Sequence, residues 1–335
     1  MNERNLQKSV NALRLFIQWG FFSWMILLVV RFAMFVRHFE SGGSAPFVSR
    51  PPGVEGFLPI GALVSLKHWL VSGEIHPVHP AALAIFLSAI LMSLLARKSF
   101  CSWLCPVGTI SEAAGKLGKR LLGKNLLIWR PLDIVLRGLK YLLLLFFVKL
   151  ILIDMTAQTA AGFLDAPYWA VGDVKMLYFF SRMSVTTMVI LAMLTGLSFL
   201  YVNFWCRYLC PYGALLGLAG MLSPWKIRRD SEGCTSCGQC TSGCPASLPV
   251  HSKMVVRSPE CSGCLTCTSA CPEKGVLRMA LPLRQRSLPV WVFPAILIFI
   301  FFAGIGAGMA TGHWQTSLSY ADYQRIIPMV SYLGH

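Results

Sequence analysis

A chain of 335 residues that is 55% hydrophobic and only 13% charged, with a mean hydropathy of +0.60, is too apolar to close into a soluble domain with one polar surface, and it reads as a membrane protein. Its 30 Lys and Arg stand against 14 Asp and Glu, for a formal charge of +16, an excess that fits nucleic acid, anionic lipid or membrane topology until the charges are placed. All twelve cysteines fall into motifs, which leaves no spare pair for a disulfide and points to a reducing compartment; C-x-x-C-H is absent, which argues against covalently held haem.

In chain order, residues 1–14 are short and mostly polar, and 15–36 is apolar except for Gln18, Ser23 and Arg31, long enough to cross about 30 Å of hydrocarbon. This run exceeds the apolar core of a signal peptide and lacks a clean A-x-A end, so an anchor helix is expected. Residues 37–78 are rich in Gly, Pro and Ser, with a moderately apolar piece at 56–71 carrying Lys67 and His68, expected to be interfacial or re-entrant. Residues 80–96 give a second span, approached through His76-Pro-Val-His79-Pro and closed by Arg97-Lys98. A short third span covers 139–153, with Lys140 at its near edge, Lys149 inside it and Asp154 just beyond; Lys149 and Asp154 mark a paired site or pathway, or else snorkel to the interface. Residues 184–203 give a fourth span and 289–312 a fifth, followed by a tail at 313–335.

Orientation follows from the basic residues. Segments 1–14, 97–140 and 204–288 hold 22 Lys and Arg against 7 acids, whereas 37–78, 154–182 and 312–335 hold 6 against 7. The positive-inside rule puts the first group, with the N-terminus, in the cytoplasm and the tail outside. The charge excess is thus mostly topology, with some attraction to anionic lipid and no nucleic-acid partner expected.

The chemistry sits in 234–271. Cys234-Thr-Ser-Cys237-Gly-Gln-Cys240-Thr-Ser-Gly-Cys244-Pro is followed by Cys261-Ser-Gly-Cys264-Leu-Thr-Cys267-Thr-Ser-Ala-Cys271-Pro. Two copies of C-x2-C-x2-C-x3-C-P form the bacterial ferredoxin pattern for two 4Fe-4S clusters, in which the fourth Cys of each copy ligates the other cluster. One cluster is therefore expected on Cys234, Cys237, Cys240 and Cys271, and the second on Cys261, Cys264, Cys267 and Cys244. C-x2-C is also zinc-finger spacing, but two zinc sites would not need eight cysteines in this duplicated arrangement. The expected fold is a polytopic α-helical membrane protein of about five transmembrane helices, four of them within a membrane domain at 15–224, with an inserted α+β ferredoxin domain at 225–285.

The second and fourth spans end in related sequences about 105 positions apart: Phe100-Cys101-Ser-Trp-Leu104-Cys105-Pro-Val-Gly108 and Trp205-Cys206-Arg-Tyr-Leu209-Cys210-Pro-Tyr-Gly213. This looks like a duplicated helical hairpin, parallel about an axis near the membrane normal. Cysteines at i and i+4 share one face of a helix, so each motif is expected to present two sulfurs in one direction, as metal ligands or redox thiols. Isolated cysteines in apolar helices are commonly small core residues; recurrence of the whole pattern favours function.

At these residues the chain resembles the NapH/NosR/CcoG group of membrane-bound polyferredoxins, over roughly 80–285. The resemblance implies electron transfer between the quinone pool and a periplasmic or membrane partner containing flavin, haem or metal, or else service to the assembly of such an enzyme, including metal reduction. It carries over the eight ferredoxin cysteines and Cys101, Cys105, Cys206 and Cys210. The large flavin-binding domain of NosR-like proteins and the C-terminal domain of CcoG-like proteins are not matched, so the layout is closest to NapH. The implied location is the bacterial inner membrane.

Further candidates are weaker. His76 and His79 at the outer mouth of the second span suit a quinol headgroup, or are simply interfacial residues at a Pro-defined helix start. His38, His68, His76, His79, His251, His313 and His335 all lie outside the mid-span stretches, so membrane haem b is not expected. Gly304-Ile-Gly306-Ala-Gly308 lacks the preceding strand of a dinucleotide site; Gly304, Gly308 and Gly312 read instead as a small-residue packing face. The aromatic tail suits an outside partner or the interface. No nucleophile or paired-carboxylate constellation is present, which makes this a redox module whose chemistry belongs to its clusters.

Overall fold

The computed structural model describes residues 3–126, 128–273, 275–281 and 291–333. The expected end of the ferredoxin domain at 285, the start of the fifth span at 289, and His335 lie outside them. The protein is largely helical, and among the described residues two helices are long and apolar enough to cross a membrane: α1 (Glu3–Glu40), through its stretch Val10–Glu40, and α14 (Val292–Ala310). The apolar α3 (Pro80–Ala96) is shorter. The region of the fourth predicted span begins in a bent pair, α9 (Gly172–Ser181) and α10 (Val185–Leu200), with 77° between them. The third predicted span starts inside α6 (Arg130–Val148) and runs on as a π-helix through Asp154. Residues 56–71 form a 3-10 turn and then α2 (Pro59–Ser72), whose 14 residues are too few to cross.

The chain divides into two compact units, 1–22 with 89–144 and 192–300, and 23–88 with 145–191 and 301–335. In the second unit, Phe32, Phe35 and Phe39 recur on one face of α1 and pack with Val54, Val171, Val174, Tyr323 and Ile327. The tail is therefore already engaged: α15 (Tyr320–Ile326), started by a Ser319/Asp322 capping box, places Tyr323 in this core. A smaller core joins α2 to α7 (Ala157–Asp165) through Val64, Ala160 and Leu164, with Trp169 of α8 (Pro167–Ala170) beside them. A Cβ on Gly304 would fall 2.1 Å from Ser88 Oγ, and one on Gly308 would fall 3.1 Å from Ala84 Cβ, so both serve the packing of α14 on α3. Gly312 does not extend that face; at φ 77° it ends the helix. Lys149 and Asp154 pair with each other at 2.6 Å while both stay exposed, as expected of charges reaching water from a short helix.

In the first unit, α4 (Phe100–Trp103), α5 (Pro106–Leu122) and α11 (Pro211–Met221) lead into a small α+β module. Its antiparallel sheet has the order β2-β1-β3, from β1 (Lys226–Arg229), β2 (Val255–Val256) and β3 (Leu277–Ala280), with Ile227 opposite both Val256 and Met279. Two short helices, α12 (Gln239–Ser242) and α13 (Thr266–Ala270), each follow the second cysteine of their motif and carry the third.

Candidate metal centres

The two ferredoxin motifs adopt the same backbone path. Left-handed residues recur at the third and fifth positions of each copy, Ser236 and Gly238 at φ 55° and 74°, then Gly263 and Leu265 at φ 61° and 59°. Such turns point successive N–H groups into one concavity that suits an anionic centre; holding Ser236 and Leu265 there costs about 1–2 kcal/mol each. The Ser236 N–H and then the Arg229 side chain hold the Cys234 thiol below its ordinary range.

The thiols gather around two recesses of similar size. Cys234, Cys237, Cys240 and Cys271 line one, and Cys244, Cys261, Cys264 and Cys267 line the other. Each set draws its fourth member from the other motif. The first recess is outermost, since Cys237 is exposed, whereas Cys264 and Cys267 are buried. Among the described residues, no group of three or more His, Cys, Asp and Glu side chains is arranged to hold a single metal ion. The thiols surround a void, an arrangement that fits a multi-iron cluster.

The C-x3-C-P motifs depart from the expected single helical face. In each, the second cysteine leaves the helix for an extended conformation, Cys105 at φ −66°, ψ 120° and Cys210 at φ −76°, ψ 104°. The cause is the following proline, which disfavours helical backbone at the residue before it. The second cysteine instead caps the next helix, with Pro106 or Pro211 at its first position. Cys210 Sγ accepts from the Gly213 N–H at 3.2 Å, and the Gly108 N–H serves Cys105 in the same way. The first turn is widened: Cys105 N donates to Phe100 O at 2.9 Å, and Cys210 N to Trp205 O at 3.0 Å, each across five residues. In the first motif the glycine is needed for this closure, because a Cβ on Gly108 would lie 2.2 Å from Cys101 O.

Cys101, Cys105, Cys206 and Cys210 come together as electrostatic neighbours of one another. Burial pushes the Cys101 thiol up to about 12 and Cys105 up to about 11. As thiolates they need a cationic partner at neutral pH. Phe100 and Tyr212 pack edge-on at 6.1 Å beside them, and Tyr212 is a neighbour of Cys101, Cys105 and Cys210.

The ferredoxin module is seated on these motifs by different contacts in each repeat. In the first, Ser102 Oγ donates to Ser262 O at 2.8 Å and Trp103 Nε1 to Gly263 O at 3.2 Å, within the cluster loop itself. In the second, Arg207 makes two 2.9 Å bonds to the Asp133 carboxylate and one of 3.1 Å to Ser247 Oγ, and Tyr208 Oη donates to Asp133 at 2.5 Å. Lys140, fully buried, and Tyr141 hold Glu260, the residue before Cys261, at 2.6–2.7 Å and 2.9 Å. Burial would raise Glu260, but Lys98 and Lys140 outweigh it and hold the carboxyl below its ordinary range. A cavity lies between motifs and module, lined by Cys101, Cys206, Lys98, Glu260 and Cys264 among others.

The two candidate quinol histidines separate in the second unit. His76 Nε2 lies 3.1 Å from the largely exposed Asp165 carboxylate, with His68 edge-on at 5.8 Å. His79 is 1% exposed. Its Nε2 donates to Trp169 O at 2.8 Å, and its Nδ1 lies 3.2 Å from both Arg50 Nη2 and Glu55 Oε1.

The comparisons agree with this geometry. A 4Fe-4S binding domain family matches residues 78–125 and 183–230, starting at the same spacing as the repeated motif, and a 4Fe-4S dicluster domain family matches 226–279. The chain is 44% identical over 315 residues to the "Putative electron transport protein YccM" of Escherichia coli K12, covering 92% of this chain and 88% of that protein. It is 29% identical over 190 residues to the ferredoxin-type protein NapH of Haemophilus influenzae, covering 52% of this chain and 59% of NapH, and 31% identical over 199 residues to the protein NirI of Paracoccus denitrificans, covering 57% and 28%. The chain belongs to the NapH-type 4Fe-4S polyferredoxin family. No solved structure matches it significantly.

Several residues around the centres carry no motif signal. Arg14, 1% exposed, pairs with Glu112 at 2.6 Å, and Gln18 Nε2 donates to Ser102 O at 2.8 Å, so the first turns of the apolar run clamp the first C-x3-C-P motif. A polar residue within an apolar stretch was the one available hint. Burial alone would raise Glu112, but Arg14 and then Lys116 hold it at about 2. Since the folded value lies below the unfolded one, this pair contributes fully above about pH 4.5, and the contribution fades as pH falls toward 2. The thermal midpoints of wild type and Glu112→Gln should differ by a constant amount from pH 8 to 5 and converge below about pH 4.5. A gap that stays constant down to pH 3 would remove the role given to this pair.

Proposed function

We propose that this protein is an electron carrier of the bacterial inner membrane that connects the quinone pool to a periplasmic or membrane redox partner. Two 4Fe-4S clusters are held by Cys234, Cys237, Cys240 and Cys271 and by Cys261, Cys264, Cys267 and Cys244, and a third centre by Cys101, Cys105, Cys206 and Cys210. The observation that carries the reading is that Cys264 lines both the inner ferredoxin recess and the larger cavity shared with Cys101 and Cys206. The three sets of thiols thus form a series within one unit that ends at the exposed Cys237.

When bound, the clusters supply one-electron chemistry. The protein's own residues do the rest. Cysteine sulfurs hold the centres, the left-handed turns aim N–H groups at those sulfurs, and Tyr212 packs beside the four-cysteine centre. Such hydrogen bonds and burial set the potentials. Five spans with the module on the cytoplasmic side agree with the charge asymmetry, and a quinol would meet His76 and Asp165 more readily than the enclosed His79.

Serine replacement of Cys206 and Cys210 tests the reading. Anaerobically purified wild type should hold about twelve iron atoms, about four per cubane, and the variant about eight; reduction by a quinol analogue in proteoliposomes should fall with it. Unchanged iron and unchanged reduction would return these cysteines to packing.

A further inference from the structure

Lys98 is a buried charge of the first unit with no ion-pair contact among the described residues. It follows the second predicted span, where a basic residue that only set topology would reach water, yet it is 5% exposed. Its neighbour Arg97 is equally buried but is met by carbonyls, Ser258 O at 2.7 Å and Gly220 O at 3.4 Å. Lys98 turns instead into the cavity. Its electrostatic neighbours are Cys101, Glu260, Cys206 and Cys210; Glu260 feels both Lys98 and Lys140 and makes its ion-pair contact with Lys140, so one carboxylate faces two ammonium groups. Among the described residues, no carboxylate is in ion-pair contact with Lys98.

This placement is built into the backbone. Arg97 is left-handed at φ 68°, which reverses the chain as it leaves α3. Gly220 lies against that turn, where a Cβ would come within 2.9 Å of Lys98 N. Gly213, the glycine of the second motif, makes room for the ammonium: a Cβ there would lie 3.3 Å from Lys98 Nζ and 3.5 Å from Cys210 Sγ. The corresponding position of the second repeat is Asn203, so only one such cation is supplied.

Two buried ammoniums, Lys98 and Lys140, share the one carboxylate of Glu260, and the positive charge left over calls for an anion. Four neutral thiols or a pair of disulfides do not provide one. A 4Fe-4S core held by four thiolates does, with roughly two negative charges when oxidised and roughly three when reduced. We infer that Lys98 is the fixed counter-charge of the four-cysteine centre and favours its reduced state. The inference rests on the third centre proposed above. Because the reduced centre carries one more negative charge than the oxidised one, a fixed cation stabilises it more and raises the reduction potential.

The test is an EPR-monitored redox titration of the full-length protein in detergent, with the signal of the four-cysteine centre identified as the one missing from the Cys206→Ser/Cys210→Ser variant. Lys98→Met should keep its iron and lower the potential of that centre alone, cutting its reduced-to-oxidised ratio at fixed ambient potential about tenfold, which for one electron is about 59 mV. Lys98→Arg, which keeps the charge, should stay near wild type. Equal potentials in all three proteins would overturn the inference. Where Lys98→Met loses about four iron atoms, retention of them by Lys98→Arg supports the counter-charge, and their loss from Lys98→Arg as well overturns it. If the cysteine variant itself loses neither iron nor signal, the third centre fails first, independently of Lys98.

Discussion

Cys271→Ser should remove the cluster of the outer recess and leave the inner one, although Cys271 belongs to the second motif. It lines the recess of Cys234, Cys237 and Cys240, while Cys244 lines that of Cys261, Cys264 and Cys267. If each motif instead served its own cluster, the outcomes of the two replacements would be exchanged. Either replacement should cut iron in the module from about eight atoms to about four. The remaining EPR signal identifies which cluster was lost, because the outer centre sits beside the exposed Cys237 and should be oxidised first by ferricyanide. After Cys271→Ser the surviving signal should resist ferricyanide; after Cys244→Ser it should be bleached rapidly. The reverse assignment would refute the crossover.

The largest effect on stability is expected from Arg50→Met. Arg50, 5% exposed at its side chain, bonds Asp173 Oδ2 through Nε at 2.8 Å and Nη2 at 2.6 Å, and meets Glu55 Oε1 at 2.8 Å. Both carboxylates are at most 1% exposed, and each is tied to a helix start: Ala82 N donates to Glu55 at 3.0 Å and Val174 N to Asp173 at 2.8 Å. Methionine would leave two buried anions with only His79 between them. Breaking a buried ion pair by removing one partner costs about 3–5 kcal/mol, so the second unit should unfold at a markedly lower denaturant concentration in detergent. Arg50→Lys should recover only part of the loss, since an ammonium cannot bridge both carboxylates in the same fork. A change below about 1 kcal/mol for Arg50→Met would mean that these contacts are not formed as described.

What the motifs foretold and what they missed divide on one physical line. The gathering of the ferredoxin cysteines around two recesses was legible because their spacing is local, and the left-handed turns at Ser236, Gly238, Gly263 and Leu265 repeat with that spacing. The kinship of the two C-x3-C-P motifs was legible as a repeat, but their geometry was misread. Helical periodicity suggested one face, whereas the proline after each second cysteine forces that cysteine out of the helix and into a capping position. The small-residue face on α14 was read correctly at Gly304 and Gly308 and overextended to Gly312, which ends the helix. The tail was read as a docking segment or an interfacial one, and neither reading foresaw that Tyr323 and Ile327 fill a core with α1.

The sequence by itself determined the cofactor class, the membrane character and the duplication, because each is written in local spacing or in composition summed along the chain. Only the tertiary structure decided the surroundings of the centres. Lys98, Lys140 and Glu260 are separated by more than a hundred residues at the widest, and nothing in their local sequence distinguishes them from charges that simply face water. Their meaning comes from burial, which depends on which distant segments close over them. The same holds for Arg50, Glu55, His79 and Asp173, whose charges balance one another only after the chain has folded.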